Sequence, residues 1–134
     1  MLPVLALVGC TGSSETGLAE AQHRYLKAKA ACDRDHPDSL AMRADCRTHA
    51  ANAFIRPYYR YGDLMTYVQD RRKALAVQVD QHQLSRRSYD LRVAEAERKV
   101  SKEEDRRNRL AHVDSSYQST PFTPVAKTFA RIFN

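Results

Sequence analysis

Two cysteines in the first half of the chain are the residues whose types and spacing best support chemistry. Cys32 and Cys46 flank a helix break at residues 35–39, so we expect them on facing helices near one turn. A disulfide between them closes a loop of about 15 residues and contributes about 3 kcal/mol in the chain-entropy model. His36 and His49 offer an alternative zinc site, because cysteine and histidine in fours commonly hold zinc. The missing CxxC spacing of structural zinc sites favours the disulfide.

The sequence contains no arrangement typical of catalysis. A Gly-rich phosphate loop, an HExxH pair and a serine flanked by glycines do not occur. The acidic cluster that starts at Asp33 does not form a calcium loop, because Asp38 and Ala44 stand where glycine and glutamate are needed. We therefore predict a protein that is not an enzyme and has no cofactor, no metal and no small-molecule substrate.

A run of aromatic and basic residues, called the elbow below, is the candidate partner surface. It consists of Arg56, Tyr58, Tyr59, Arg60 and Tyr61. Tyrosine combines a large apolar ring with a polar tip, and tyrosine and arginine are enriched at binding hot spots. The alternative is that these rings cover the junction between two helical pairs, since interior packing needs bulky residues.

The third cysteine has a different context. Leu7-Val8-Gly9-Cys10 ends an apolar run and precedes a small, polar stretch. This arrangement resembles the lipobox of bacterial lipoproteins. The resemblance implies that residues 1–9 are a signal peptide that is removed, and that Cys10 carries the lipid. Signal peptides usually begin with basic residues, and none precedes Cys10, so we expect the natural start to lie further upstream.

The lipobox resemblance also implies a location. A protein anchored in this way belongs to the bacterial cell envelope and faces the periplasm. Thr11 favours the outer membrane over the inner one, because the retention signal known for some lipoproteins is aspartate at that position. Three acyl chains anchor stably where a single chain is marginal. The implied partners are the membrane, through the lipid on Cys10, and an envelope protein or an anionic lipid surface.

Composition favours a small helical protein with polar faces and a thin core. The chain has 134 residues, four glycines, no tryptophan and a net charge of +6. That length permits one domain on the usual scale of about 50–200 residues. In a cytosolic protein the charge would suggest nucleic acid. Outside the cytoplasm it suits anionic lipid or acidic partners, and we predict no nucleic-acid partner.

The spacing of apolar residues predicts an all-α fold with one helical domain over residues 18–114. Small polar residues at 10–17 predict a flexible tether between the lipid and this domain. A disulfide-stapled helical pair follows, with helices at 18–34 and 40–56. Pro37 causes the break between them, because a residue before proline is pushed away from helical angles.

A longer antiparallel helical hairpin is predicted next. Its first helix covers 63–79, with Asp63 as a cap, and its second begins after Ser85, which is also a cap. Residues 80–85 contain neither glycine nor proline, so a single unbroken helix that oligomerises is the alternative. The apolar spacing is that of a coiled-coil seam. The seam places Val68, Leu75 and Val79 against Tyr89, Val93 and Val100.

Two further segments complete the pattern. Charged runs at 71–73, 86–87 and 102–107 are interpreted as solvated helix faces with local ion pairs. The tail, 115–134, is linker-like at first and then carries apolar residues that suit a short terminal helix. We expect this tail to dock on the domain, or else to contact a partner or a membrane, since an isolated helix this short is marginal in water.

The predicted function is a structural or protein-interaction role in the envelope. A chaperone-like or inhibitory binder of the periplasm is the first alternative. Its similarity to small periplasmic helical chaperones is architectural, because Leu84-Ser85-Arg86-Arg87-Ser88 lacks their Leu-Thr-x-x-Gln signature. A cytosolic, basic, nucleic-acid-binding helical protein is the second alternative, which applies if the lipobox is fortuitous.

Overall fold

The computed structural model describes residues 13–114, a part of the chain built from four α-helices. These are α1 (Ser13–Asp35), α2 (Leu40–Phe54), α3 (Gly62–Asp80) and α4 (Arg86–Asp114). A short 3₁₀ helix, Arg56–Tyr58, follows α2, which therefore ends before the predicted residue 56. Each helix packs mainly against the next one along the chain. The predicted all-α fold, with a stapled pair followed by a hairpin, is confirmed.

Several predictions fall outside the described residues. These are the signal peptide at 1–9, the lipid on Cys10 and the tail at 115–134. Within residues 13–114, no helix carries an apolar stretch long enough to cross a bilayer.

Helix α1 begins at Ser13, so the predicted tether is wrong for residues 13–17, which are helical. No proline interrupts this segment, and the glycine in it has a packing role. A Cβ at Gly17 would lie 3.2 Å from the Tyr58 hydroxyl, which shows how closely the start of α1 approaches the chain after α2. Glycine at position 17 therefore allows the start of α1 to lie close to Tyr58.

Two caps fix the start of α2. The predicted one is Ser39, whose Oγ accepts a hydrogen bond from the Met42 N–H at 3.1 Å. The second comes from the end of α3. There the Asp80 carboxylate accepts from the backbone N–H groups of Leu40 and Ala41, both at 2.9 Å. A carboxylate at a helix N-terminus satisfies free donors and suits the helix dipole. Asp80 thus ties the hairpin to the first helical pair.

The turn between α3 and α4 divides the two helices despite its lack of glycine. His82 adopts a left-handed conformation with φ 58°. Its N–H donates to the Val79 carbonyl at 2.9 Å, and the Gln83 N–H donates to the Gln78 carbonyl at 2.8 Å. These two bonds form a Schellman motif. Ser85 Oγ then accepts a backbone hydrogen bond from the first turn of α4 at 3.1 Å, so the predicted cap is confirmed.

Buried apolar side chains form three clusters. The cluster between the first helical pair and the start of α3 contains Tyr25, Ala51, Ile55, Tyr59 and Met65. The cluster that joins α2 to the hairpin contains Leu40, Ala44, Leu75, Ala76, Tyr89 and Val93. The cluster at the end of the hairpin away from its turn contains Leu64, Val68 and Val100. The predicted seam is present, with α2 packed against it as an additional layer.

Polar side chains continue the seam beyond Val100. Arg107 Nη2 lies 2.8 Å from Asp63 Oδ2, and its guanidinium lies 5.3 Å from the centre of the Tyr61 ring. The N-cap of α3 is Tyr61, so the prediction that Asp63 caps this helix is wrong. Asp63 lies in the first turn and pairs with α4 instead. Glu104, on the same helix, is buried.

Candidate functional site

The disulfide between Cys32 and Cys46 joins α1 to α2, as predicted. The two Cα atoms are 5.7 Å apart, within the usual range for such a bond. The ion pair between Arg47 and Asp33 links the same two helices beside it. The bond uses both thiols of the alternative zinc site, and no cluster of three potential metal ligands occurs among residues 13–114. The disulfide therefore acts as a structural staple.

The elbow mostly covers the junction between the two helical pairs. Tyr59 is buried in the cluster around Tyr25. Tyr61 is half-buried, and its hydroxyl donates to Asn108 Oδ1 at 2.7 Å. The Arg56 guanidinium donates to the Thr66 hydroxyl and to a backbone carbonyl of α3. These three residues of the predicted partner surface hold the fold together.

The other two elbow residues face outward. Tyr58 is 41% exposed. Arg60 is exposed and lies 5.6 Å from the centre of the Tyr61 ring. Neither side chain makes a hydrogen bond to another described residue. The surface that the elbow offers to a partner is therefore Tyr58 and Arg60, together with Arg56, which is exposed but held by its hydrogen bonds.

A cleft with a volume of about 290 Å³ is lined by residues of all four helices. Its wall contains five basic side chains and only two carboxylates, a surplus of three positive charges. The basic residues are Lys29, Arg43, Arg47, Arg72 and Arg86, and the acidic ones are Asp90 and Glu97. An enclosed surface of one predominant charge raises the local concentration of ions of the opposite sign. The cleft is therefore suited to an anion.

Carboxylates hold three of the five bases in place. Arg72 and Glu97, whose side chains are 15% and 20% exposed, form an ion pair that joins α3 to α4. The other two pairs are Arg47 with Asp33, and Arg86 with Asp90. These carboxylates fix the orientation of the three guanidinium groups and offset their charge, so the positive field of the cleft comes mainly from the other two bases.

The remaining two bases, Lys29 and Arg43, have no carboxylate within ion-pair distance among the described residues. The Arg43 Nε atom is buried and makes no hydrogen bond in that part of the chain. Lys29 is half-buried, and its pKa is lowered, first by burial and then by the charge of Arg47. Burial of the amine is the main cause, the charges of Arg47 and Arg72 lower the pKa further, and the nearby Asp33 carboxylate offsets part of this effect.

Two tyrosines line the same cleft. Tyr25 on α1 and Tyr89 on α4 are both buried, and burial raises the pKa of each hydroxyl above its ordinary value. Both therefore stay uncharged at neutral pH. The Arg86 guanidinium lies 5.3 Å from the centre of the Tyr89 ring, which holds this cation over an aromatic face. The cleft thus combines cations with the exposed edge of one aromatic ring, that of Tyr89, because Tyr25 is only 1% exposed.

Sequence reasoning missed this cleft. The run at 71–73 is interpreted above as a solvated face, yet Arg72 is largely buried in the cleft wall. The run at 86–87 is exposed as predicted, and Arg86 also lines the cleft while it pairs with Asp90. A usable signal exists in the spacing, because residues four apart share one face of a helix. The relevant pairs are Tyr25 with Lys29 on α1 and Arg43 with Arg47 on α2.

Relatives offer no guide to the role of the cleft. Transfer of a function requires a related protein with a comparable site, since one fold serves many functions. Comparison with protein families, with curated proteins and with solved structures finds no match to this chain.

Proposed function

We propose that this chain is a non-enzymatic protein of the bacterial envelope that is anchored by a lipid on Cys10 and acts by binding a partner. The observation that carries the proposal is the disulfide between Cys32 and Cys46. Disulfides form and persist outside the reducing cytoplasm. With Cys10 in a lipobox-like context, all three cysteines of the chain suit an exported lipoprotein.

The construction of the helical unit supports a binding role. The disulfide joins α1 to α2, and Asp80 joins the end of α3 to the start of α2, so three helices are cross-linked by specific contacts. A rigid unit of this kind presents its outward side chains, among them Tyr58 and Arg60, in a fixed arrangement. The net charge of +6 suits an acidic protein or an anionic lipid surface. Because Thr11 stands where some lipoproteins carry the aspartate that retains them in the inner membrane, the proposal includes location at the outer membrane.

Metabolic labelling with a radioactive fatty acid tests the anchor. The chain is expressed in a bacterium behind a complete lipoprotein signal peptide, as the wild type, as Cys10→Ser and as the matched control Thr11→Ser. The wild type and the control should incorporate label and sediment with membranes, whereas Cys10→Ser should remain unlabelled. Label that persists in Cys10→Ser would overturn the proposal. So would an unlabelled wild type in the cytosolic fraction, which would favour a nucleic-acid-binding role.

A further inference from the structure

We propose that the cleft is a binding site for a small molecule that carries a phosphate group, with Lys29 and Arg43 as its main contacts. The proposal does not depend on the lipid anchor, because every residue of the cleft lies in the helical unit. It adds a ligand of defined chemistry to a protein proposed above only to bind a partner.

The balance of charge in the cleft favours phosphate over a single carboxylate. Three of the five bases already have carboxylate partners, so Lys29 and Arg43 remain to neutralise a ligand. A phosphate monoester carries a charge of about −1.5 to −2 at pH 7 and has three acceptor oxygens. Two cations on neighbouring helices match that charge, whereas a lone carboxylate would neutralise only one of them. The planar fork of arginine also suits the spacing of phosphate oxygens.

The guanidinium of Arg43 has no ion-pair partner among the described residues, and its buried Nε atom makes no hydrogen bond there. Buried polar groups in native proteins almost always have a hydrogen-bond partner, which can be protein, water or ligand. The Arg43 Nε has no such partner among the described residues, and the Asp80 carboxylate interacts with the Arg43 side chain through its charge. Because the Nε atom is inaccessible to water, a phosphate in the cleft would contact Arg43 through the terminal nitrogens of its guanidinium group.

The size of the cleft favours a small organic phosphate over a polymer. Its volume of about 290 Å³ is close to the lower end of the range for ligand pockets, about 300–1,000 Å³. Tyr89 and Val93 line the cleft and keep 8% and 9% of their surface exposed, so they can contact the organic part of such a molecule, whereas Tyr25 is only 1% exposed. We therefore expect a compact ester in which the phosphate meets the cations and the organic group meets Tyr89 and Val93.

Isothermal titration calorimetry with phenyl phosphate tests the proposal on the full chain carrying Cys10→Ser. At pH 8 this probe is a dianion, because its second pKa is near 6. Phenyl sulfate has nearly the same shape and one negative charge fewer, so it is the matched ligand control. Loss of one charge-assisted interaction should weaken binding about tenfold or more. Equal affinity for the two probes, or no binding of phenyl phosphate, would overturn the proposal.

Variants locate the binding in the cleft. Lys29→Gln and Arg43→Gln should each weaken phenyl phosphate binding by about tenfold or more. Arg71→Gln is the matched control, because Arg71 is exposed on α3 beside the cleft residue Arg72. The Arg71→Gln protein should bind phenyl phosphate with the affinity of the wild type. Circular dichroism establishes that each variant keeps its helices. The site would be refuted if Lys29→Gln and Arg43→Gln bound phenyl phosphate as tightly as Arg71→Gln does.

A measurement on the unsubstituted cleft guards against variants that fail to fold. Phenyl phosphate should slow acetylation of the Lys29 amine, followed by mass spectrometry, and should leave the exposed Lys27 unaffected. Equal rates of Lys29 acetylation with and without phenyl phosphate would count against the site.

Vesicles containing phosphatidic acid distinguish the source of the phosphate. Binding to these vesicles that is lost in Lys29→Gln assigns it to a lipid headgroup, and binding to the soluble ester alone assigns it to a free molecule.

Discussion

Replacing Glu104 with glutamine is expected to stabilise the protein at neutral and alkaline pH and to change little in acid. The Glu104 side chain is 2% exposed on α4, one turn beyond Val100 in the seam with α3, and its Oε1 has no hydrogen-bond partner among the described residues. Burial, and secondarily the Asp105 carboxylate, raises the pKa of Glu104 to about 7. The folded chain therefore binds this proton more tightly than the unfolded chain does.

The sign and size of the effect follow from the two pKa values of Glu104. In the unfolded chain the value is near 4.5, so the folded protein loses stability as the pH rises from about 4.5 to 7. One pKa unit corresponds to about 1.4 kcal/mol, and the full cost of the buried charge is thus about 3 kcal/mol at pH 8. At pH 4 the carboxyl is protonated in both states, and the cost disappears. Glutamine keeps the shape and removes the ionisation.

Urea unfolding at pH 4 and pH 8, without reductant, measures this effect. Glu104→Gln should raise the free energy of unfolding by about 3 kcal/mol at pH 8 and only slightly at pH 4. Glu95→Gln, the same change at an exposed position of α4, is the matched control and should show no gain at either pH. A gain for Glu104→Gln that is absent at pH 8, or equal at the two pH values, would refute the reasoning.

Three further substitutions test the contacts that hold the helices together, each by urea unfolding. Replacing Cys32 and Cys46 with serine should lower the free energy of unfolding by about 3 kcal/mol, and reduction of the wild type should do the same; an unchanged midpoint would contradict the staple. His82→Gly should stabilise by about 1 kcal/mol, because glycine adopts the left-handed conformation without the penalty of a Cβ; a loss of stability would contradict this. Asp80→Asn should destabilise by about 1 kcal/mol. Burial raises the pKa of Asp80, but the hydrogen bonds from the start of α2 together lower it more. The stability difference between the wild type and Asp80→Asn should therefore shrink as the pH falls through this lowered pKa. A stability difference that does not depend on pH would rule out the carboxylate cap.

Helix boundaries that depend on nearby residues could be predicted from the sequence. The break at Pro37 and the caps at Ser39 and Ser85 are local features, because a cap acts within one turn of its own residue. The start of α1 was missed because its glycine is held by packing against Tyr58 from a distant segment. The cap that Asp80 provides could not be predicted for the same reason, because Asp80 is the last residue of α3 but its carboxylate binds the start of α2.

The cleft was missed because no single helix contains it. Its two unpaired bases lie on α1 and α2, and both helices are brought together by the disulfide next to the Arg47 ion pair. Lys29 on α1 and Arg47 on α2 repel each other, since the charge of Arg47 lowers the pKa of Lys29, and the disulfide between the same two helices helps to offset this repulsion. Binding of phenyl phosphate and formation of the disulfide should therefore be coupled. Reduction of the disulfide should weaken phenyl phosphate binding in calorimetry, whereas equal affinity in the oxidised and reduced proteins would show that packing alone holds the two cations together.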